Sequence, residues 1–306
     1  MKRDDFIAFR RSLGPTPRLT HRTVHARGID FAVWSSPEVP GATPLLWVNG
    51  GLLYDHSLLW PALSPLAATR QLWFYDQRGR GSTPAPPGAR SATIEHDAGD
   101  VGALRRALGI ARWDLLGHSW GGGIALLGAE RDQDGTRAVV GVCPVGATSG
   151  WMRALDDAAL ARLGPVERAA LERHPPASLT SDDPNVQSAH ARALYPAWFA
   201  DPTLAGLFSP PRATSVTGAA VAARLRREGY DWRSLLSALR TPVLVIGAER
   251  DLLPLKAARE LADTLPSAHL VVVPGSGHMP FWEAPERFFA VVDSFLSAPS
   301  SDWVPP

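Results

Sequence analysis

The 306-residue sequence contains little cysteine and no long apolar run, and its positive and negative charges are nearly balanced. Cys143 is the single cysteine, which excludes an intrachain disulfide and a cysteine-based zinc site. We expect Cys143 to be a small buried apolar residue, not a reactive thiol. No apolar run approaches the roughly 18 residues that a membrane span needs. Lys and Arg number 31 against 30 Asp and Glu, so the chain has no basic surface typical of nucleic-acid binding.

The N-terminal residues also lack a secretion signal. Charged and apolar side chains alternate there, without the continuous apolar centre that such a signal requires. We therefore expect a cytoplasmic protein with no membrane attachment. With 45% hydrophobic residues, the chain can bury one large core, with or without an inserted segment.

Strand-like and helix-like segments alternate along the chain. Residues 19–26 and 29–36 are typical of an opening hairpin with its turn at Gly28. Continuous apolar runs, each of strand length, follow within residues 43–51, 71–81, 112–118, 137–145, 241–251 and 268–278. Helices are predicted at about 56–68, 93–108, 255–265 and 285–296. Apolar strands separated by helices predict an α/β fold with a doubly wound, mostly parallel sheet.

One stretch departs from this alternation. Residues 149–239 are typical of helices broken by prolines and contain no strand-like run, which predicts an inserted helical cap. The core would then comprise residues 1–148 and 240–298. Residues 299–306 are predicted to form a flexible tail.

The segment Gly117-His118-Ser119-Trp120-Gly121 lies between a predicted strand and a predicted helix. This is the setting of a nucleophile elbow, in which a serine projects from a tight turn. The competing interpretation is that Ser119 only caps the helix. A serine hydroxyl attacks poorly until a base takes its proton, so a nucleophilic role requires a histidine and an orienting carboxylate.

Two later strands end in these residue types. Asp251 is the last residue of the segment 241–251, and His278 is the last residue of the segment 268–278. Each therefore lies just beyond a predicted strand. The chain order Ser119, Asp251, His278 is the order of a catalytic triad built on such an elbow. Separately, Asp251 could be a helix cap and His278 a solvated loop residue. Together they predict acyl transfer, with His278 as the base.

The developing oxyanion needs two fixed hydrogen-bond donors. We expect the backbone N–H of Trp120 and that of Gly51, in the segment 48–53, to supply them. A plain turn without a ligand is the alternative for the two glycines there. Several of the eleven tryptophans are candidates for an apolar substrate pocket, together with one leucine. These candidates are Leu52, Trp151, Trp198, Trp232 and Trp282.

The motifs NGGLL, YDQRGRGS, GHSWGGGIAL, GAERD and GSGHMPFWEAPE resemble the α/β-hydrolase superfamily, and the second and third are most similar to its proline iminopeptidase branch. The resemblance covers about residues 23–296. It implies a serine hydrolase with a helical lid, which cleaves a small ester or amide. The same resemblance implies Ser119, Asp251 and His278 as the triad and Gly51 with Trp120 as the oxyanion hole. It implies an ion pair between Asp76 and Arg78 as well.

This chain departs from that branch where the branch carries HGGPG, since residues 49–53 read NGGLL. The branch also holds a free amine with acidic cap residues. Here Glu167 and Glu172 fit an ordinary solvated helix face. The sequence therefore leaves both an iminopeptidase-like peptidase and a carboxylesterase open.

Other functions remain open on the same residues. A carbon–carbon bond hydrolase or a perhydrolase would use the same triad, and a non-catalytic binding protein would have no need of it. No ligand cluster in the sequence indicates a metal or an organic cofactor. The expected partner is a small-molecule or short-peptide substrate.

Overall fold

A computed structural model describes residues 3–13, 16–181, 183–208 and 214–306. Eight strands in these ranges form one sheet. In chain order they are β1 (Thr20–Ala26), β2 (Ile29–Ser35), β3 (Leu45–Val48), β4 (Leu72–Tyr75), β5 (Trp113–His118), β6 (Thr136–Val142), β7 (Val243–Ala248) and β8 (Ala268–Val273).

The strand order across the sheet is β1-β2-β4-β3-β5-β6-β7-β8. β1 pairs antiparallel with β2, and β2 pairs antiparallel with β4. The other neighbours pair in parallel, from β4 through to β8. The hairpin turn between β1 and β2 uses Arg27 and Gly28, both with positive φ. The predicted doubly wound, mostly parallel sheet is confirmed.

Eleven α-helices accompany the sheet in the described ranges. They are α1 (Arg3–Ser12), α2 (Ile94–Ala107), α3 (Trp120–Arg131), α4 (Met152–Arg162), α5 (Pro165–Arg173), α6 (Pro184–Leu194), α7 (Val216–Glu228), α8 (Arg233–Leu236), α9 (Leu255–Thr264), α10 (Pro280–Glu283) and α11 (Pro285–Ser297). The predicted helices at 93–108, 255–265 and 285–296 are confirmed as α2, α9 and α11.

The predicted helix at 56–68 is wrong. Two short 3-10 segments, His56–Leu58 and Ser64–Ala68, occupy that stretch. Pro61 and Pro65 have no backbone N–H to donate within a helix, which interrupts an α-helical run there. The helix α1 was not foreseen, and it buries Phe6 against the core.

The core lies on both faces of the sheet because successive strand residues point to opposite sides. In β3, Leu46 packs into a hydrophobic cluster with residues of α2 and α3, whereas its neighbour Leu45 packs into a second cluster with residues of α11. The burial of β3 to β7, interrupted at Arg137 in β6, follows from this two-sided cover.

Helices α4 to α8 all lie between β6 and β7, in residues 149–239, which we call the inserted segment. Its two ends lie side by side. Trp232 N donates to Ala147 O at 2.8 Å, and Ser149 N donates to Tyr230 O at 3.0 Å. The chain thus leaves the sheet region and returns to it at one place.

The last residues, 299–306, make specific contacts. Trp303 is 8% exposed, and its indole packs edge-on against Phe295 and His269. Its Nε1 donates to Ser294 Oγ at 3.1 Å. Composition alone predicts a loose tail here, because it does not show that Trp303 packs against the core. In the described part of the chain, no helix is long and apolar enough to cross a membrane.

Candidate active site

Ser119 stands in the turn between β5 and α3. Its φ is 55° and its ψ is −122°, a conformation that non-glycine residues rarely adopt. A Cβ on the flanking Gly117 would collide with Gly121 O, and one on Gly121 would collide with Val48 O. The turn is therefore held by close backbone packing that only glycine permits.

Ser119 occupies the N-cap position of α3, but its hydroxyl makes no capping hydrogen bond. Its backbone is engaged instead, since Ser119 N donates to Val142 O at 2.9 Å and Gly122 N donates to Ser119 O at 2.9 Å. The interpretation of Ser119 as a helix cap alone does not fit this geometry. The hydroxyl is left for other partners.

Asp251 and His278 meet at the end of the sheet where β7 and β8 finish. His278 Nδ1 lies 2.8 Å and 3.1 Å from the two Asp251 carboxylate oxygens, and both side chains are buried, at 3% and 4% exposed. A carboxylate only accepts, so Nδ1 carries the hydrogen and Nε2 is the basic nitrogen. Leu253 N also donates to Asp251 Oδ1, at 3.1 Å.

The main chain of His278 is held on both sides. His278 N donates to Trp198 O at 2.8 Å, and His118 Nε2 donates to His278 O at 2.8 Å. The ring of His278 lies between those of Trp198 and His118, with centroids 4.4 and 4.5 Å away. Burial, and then the neighbouring His278, lower the pKa of His118, which keeps it neutral as a donor. His118 thus lies in direct contact with the candidate base.

Glu283 is a buried carboxylate that sequence reasoning missed. It accepts hydrogen bonds from the residues on each side of His278, Gly277 N at 3.1 Å and Met279 N at 3.3 Å. Its other oxygen accepts from Ala200 N, in the inserted segment, at 2.8 Å. Burial raises the pKa of Glu283. The only signal in the sequence is an acidic residue within the apolar run that follows the histidine.

One cavity brings several of the predicted residues together. It measures about 1060 Å³, including the space open to solvent at its mouth. The sequence-predicted residues that line it are Ser119, His278, Gly51, Trp120, Leu52, Trp151 and Trp198. Asp251 lies behind His278, in contact with its far nitrogen.

Two predicted pocket residues are not in the lining. Trp232 is 4% exposed, stacks on Tyr230 with centroids 3.9 Å apart, and packs against Gly123. Trp282 packs on Phe6, Phe9 and Phe208. Both indoles thus pack within the core, and their assignment to the pocket is wrong.

The loop after β3 packs closely against the turn that contains Ser119. Gly51 has a φ of 76° and Leu52 a φ of 57°. A Cβ on Gly50 would collide with His118 O and would lie 3.0 Å from Ser119 Cβ. Leu52 O accepts from Arg80 Nε at 2.7 Å, which fixes the loop from its outer side.

The predicted ion pair between Asp76 and Arg78 is wrong. Arg78 pairs with Asp100 in α2, through Nε at 2.7 Å and through Nη2. Asp76 accepts instead from His56 Nδ1 at 2.8 Å and Ser82 N at 2.7 Å. The expected pair does not form because α2 brings Asp100 to Arg78.

Among the residues that the structure describes, two groups of side chains have the residue types of metal ligands. Cys143, Asp251 and His278 have ligand atoms within 4.8 Å of one another, and so do Asp55, His56 and Asp76. In each group a histidine Nδ1 is already hydrogen-bonded to a carboxylate. Burial, and then Asp251, raise the pKa of the Cys143 thiol, which favours the protonated form over a metal-binding thiolate.

The chain is similar to known proteins over most of its length. A family model described as the alpha/beta hydrolase fold matches residues 43–285. A putative carbamate hydrolase of Caulobacter sp. (strain K31) is 30% identical over 287 residues, which cover 88% of this chain and 96% of that protein. The 2-hydroxymuconate semialdehyde hydrolase of Pseudomonas putida is 29% identical over 235 residues, covering 75% and 78%. The crystal structure of a proline iminopeptidase from Mycobacterium smegmatis has a TM-score of 0.65 at 26% identity, covering 91% of this chain and 98% of that one.

Proposed function

The chain belongs to the α/β hydrolase family and is a hydrolase, and on this premise we propose that it is a serine hydrolase that cleaves small esters or amides through an acyl-enzyme. One observation carries the proposal. His278, which is hydrogen-bonded to Asp251 at 2.8 Å, lines the same cavity as Ser119, a serine held in a strained turn.

The first step uses His278 Nε2 as the base. It takes the hydroxyl proton of Ser119 while Oγ attacks the carbonyl carbon of the substrate. The backbone N–H groups of Gly51 and Trp120 stabilise the negative oxygen that forms. The tetrahedral species then collapses, the bond to the leaving group breaks, and the leaving group takes the proton from His278. Asp251 stabilises the imidazolium during this transfer.

The second step repeats the sequence with water. His278 Nε2 takes a proton from water, whose oxygen attacks the acyl carbon on Ser119. The bond between Ser119 Oγ and the acyl group breaks, and Oγ recovers the proton. The acid leaves, and the three residues return to their starting states.

The inserted segment takes the part of a cap in this proposal. It supplies cavity-lining residues from α4, α6 and α7, so substrate choice depends on it. The substrate is a small molecule or a short peptide that fits beneath it.

The test is labelling by a fluorophosphonate together with release of p-nitrophenol from short-chain esters. We expect both in the wild-type protein, and neither in Ser119→Ala. Asp251→Asn should lower kcat by roughly 10⁴, since it disfavours the required tautomer. Circular dichroism and thermal unfolding check that each variant folds.

The matched control is Ser234→Ala, at an exposed serine of α8. This variant should label and turn over ester at the wild-type rate. A folded wild-type protein that neither labels nor hydrolyses any ester would contradict the proposal.

A second candidate is hydrolysis of a carbon–carbon bond by the same triad. It is favoured by the similarity to 2-hydroxymuconate semialdehyde hydrolase over 75% of the chain. Cleavage of a vinylogous diketone at a rate well above that of a matched ester would favour it. The Ser119→Ala variant should abolish either activity.

A further inference from the structure

The cavity beside Ser119 is lined mainly by carbon. Leucine, methionine and aromatic side chains make up most of its wall. Within the described ranges, no Asp or Glu lines it. Glu228, an acidic residue of the inserted segment, is exposed and pairs with Arg224 and Arg227.

A free ammonium group would therefore enter this cavity without a counter-charge. Burying an unpaired charge among apolar side chains is strongly unfavourable. Arg226, the only permanently charged residue that lines the cavity within the described ranges, already donates to Asp156. The wall therefore offers no unpaired charge to an ammonium group or to a carboxylate.

One histidine in the wall has a defined tautomer. His190, in α6, is 5% exposed, and its Nδ1 lies 2.7 Å from His174 O. A carbonyl oxygen only accepts, so Nδ1 carries the hydrogen and Nε2 carries the lone pair. Nε2 has no hydrogen-bond partner among the residues that the structure describes. The cavity wall thus contains a hydrogen-bond acceptor without a donor.

Arg226, in α7, supplies a donor close by. Its two terminal nitrogens donate to Asp156 at 3.1 and 3.2 Å, while the side chain also lines the cavity. Burial lowers the pKa of His190, and the nearby charge of Arg226 lowers it further. His190 therefore stays neutral and remains an acceptor at neutral pH.

We propose that the cavity binds an apolar acyl chain that ends in a neutral hydroxyl, which donates to His190 Nε2 and accepts from Arg226. A hydroxyl matches both groups because it is donor and acceptor at once. The acyl chain is the part that stays attached to Ser119 through both steps, so it is the part that the cavity must hold. The inference rests on the serine-hydrolase proposal above.

The test is a set of p-nitrophenyl esters whose acyl chains have six, eight or ten carbons. At each length the chain ends in methyl, hydroxyl, carboxylate or ammonium. At the best length we expect kcat/KM for the hydroxyl ester to exceed that for the methyl ester by about three- to tenfold, the range that one net hydrogen bond gives. The ammonium and carboxylate esters should be poorer than the methyl ester.

Two variants connect this preference to the residues. His190→Phe keeps a flat ring without an acceptor and should bring the hydroxyl-to-methyl ratio to about one. Arg226→Met, at a half-exposed residue that should tolerate the change, should lower the same ratio. The matched control is Leu194→Ala, one turn after His190 in α6 and also in the lining. It should change kcat/KM for both esters alike and leave the ratio unchanged.

Several results would overturn the inference. These are a preference for the ammonium or carboxylate ester, a hydroxyl-to-methyl ratio of one or less at every length, or a ratio that persists in both variants. Failure of the underlying proposal looks different, since the fluorophosphonate has no such acyl chain. Without labelling or turnover of p-nitrophenyl acetate, the serine-hydrolase proposal itself falls.

Discussion

His278 is the residue on which the site depends, and its neighbours fix it at three points. Asp251 holds Nδ1, Trp198 O accepts from the backbone N–H, and His118 Nε2 donates to the backbone O. Each contact removes rotational freedom that the proposed base would otherwise lose on reaching the transition state. His118 is buried there, and burial lowers its pKa.

The depressed pKa of His118 predicts acid sensitivity. Below the ordinary value of 6.5, an unfolded histidine takes a proton that the folded, buried one refuses. The free energy of unfolding is therefore retained above pH 6.5. Below pH 6.5 it falls by about 1.4 kcal/mol per pH unit for one such group. His118→Gln can still donate to His278 O but does not titrate, so its unfolding free energy should fall less between pH 7 and 5.5. Urea unfolding at several pH values measures this.

His190 also has a lowered pKa, so the variant should reduce the pH dependence without abolishing it. The control is Phe281→Leu, which alters packing against the His118 ring at a centroid distance of 5.4 Å. It should lower stability equally at both pH values. An unchanged pH dependence in His118→Gln would show that the imidazole is not the group responsible.

The short helix α10 shapes the histidine loop through its last residue. Glu283 accepts hydrogen bonds from the backbone N–H groups of Gly277, Met279 and Ala200. These bonds connect α10 to the histidine loop and to the inserted segment. A buried N–H without an acceptor is costly, which explains a carboxylate at this otherwise apolar place. The loop conformation that aims His278 thus depends on one acidic side chain.

Glu283→Gln keeps the size but replaces one acceptor oxygen by an NH2 group that faces backbone N–H groups. We expect the unfolding free energy to fall by about 2 kcal/mol, the cost of an unsatisfied buried donor. The kcat for a p-nitrophenyl ester should fall about tenfold or more at 25 °C, where the variant is still folded, with little change in KM. Glu286→Gln, at an exposed glutamate of α11, is the matched control and should alter neither. Wild-type kcat in Glu283→Gln would refute a positioning role.

Much of the molecule could be predicted from the sequence because strands buried on both faces need continuous apolar runs. The same runs placed Ser119, Asp251 and His278 at strand ends, where the sheet brings them together. The inserted segment was less predictable. Which side of a proline-broken helix faces a cavity depends on distant packing, so Trp232 was assigned to the pocket while His190 was missed.

The inserted segment is more than a cover over the cavity, since it also contacts the proposed base and acid. Trp198 O binds the backbone of His278. Arg162, in α4, donates through Nη1 to Ala197 O at 2.8 Å and through Nη2 to Asp251 O at 3.3 Å. Substrate choice and catalytic geometry are therefore joined in one structure, and a change in the segment should affect both.

Arg162→Met separates these roles, because Arg162 is not among the residues that line the cavity in the described structure. Without it, Ala197 O and Asp251 O lose a shared donor, and we expect kcat for a p-nitrophenyl ester and the rate of fluorophosphonate labelling to fall together by about tenfold, with KM little changed. The matched control is Arg168→Met, whose arginine donates only within the inserted segment, to Leu163 O at 2.8 Å. It should label at the wild-type rate. If Arg162→Met instead raised KM at constant kcat, the segment would act on substrate binding alone.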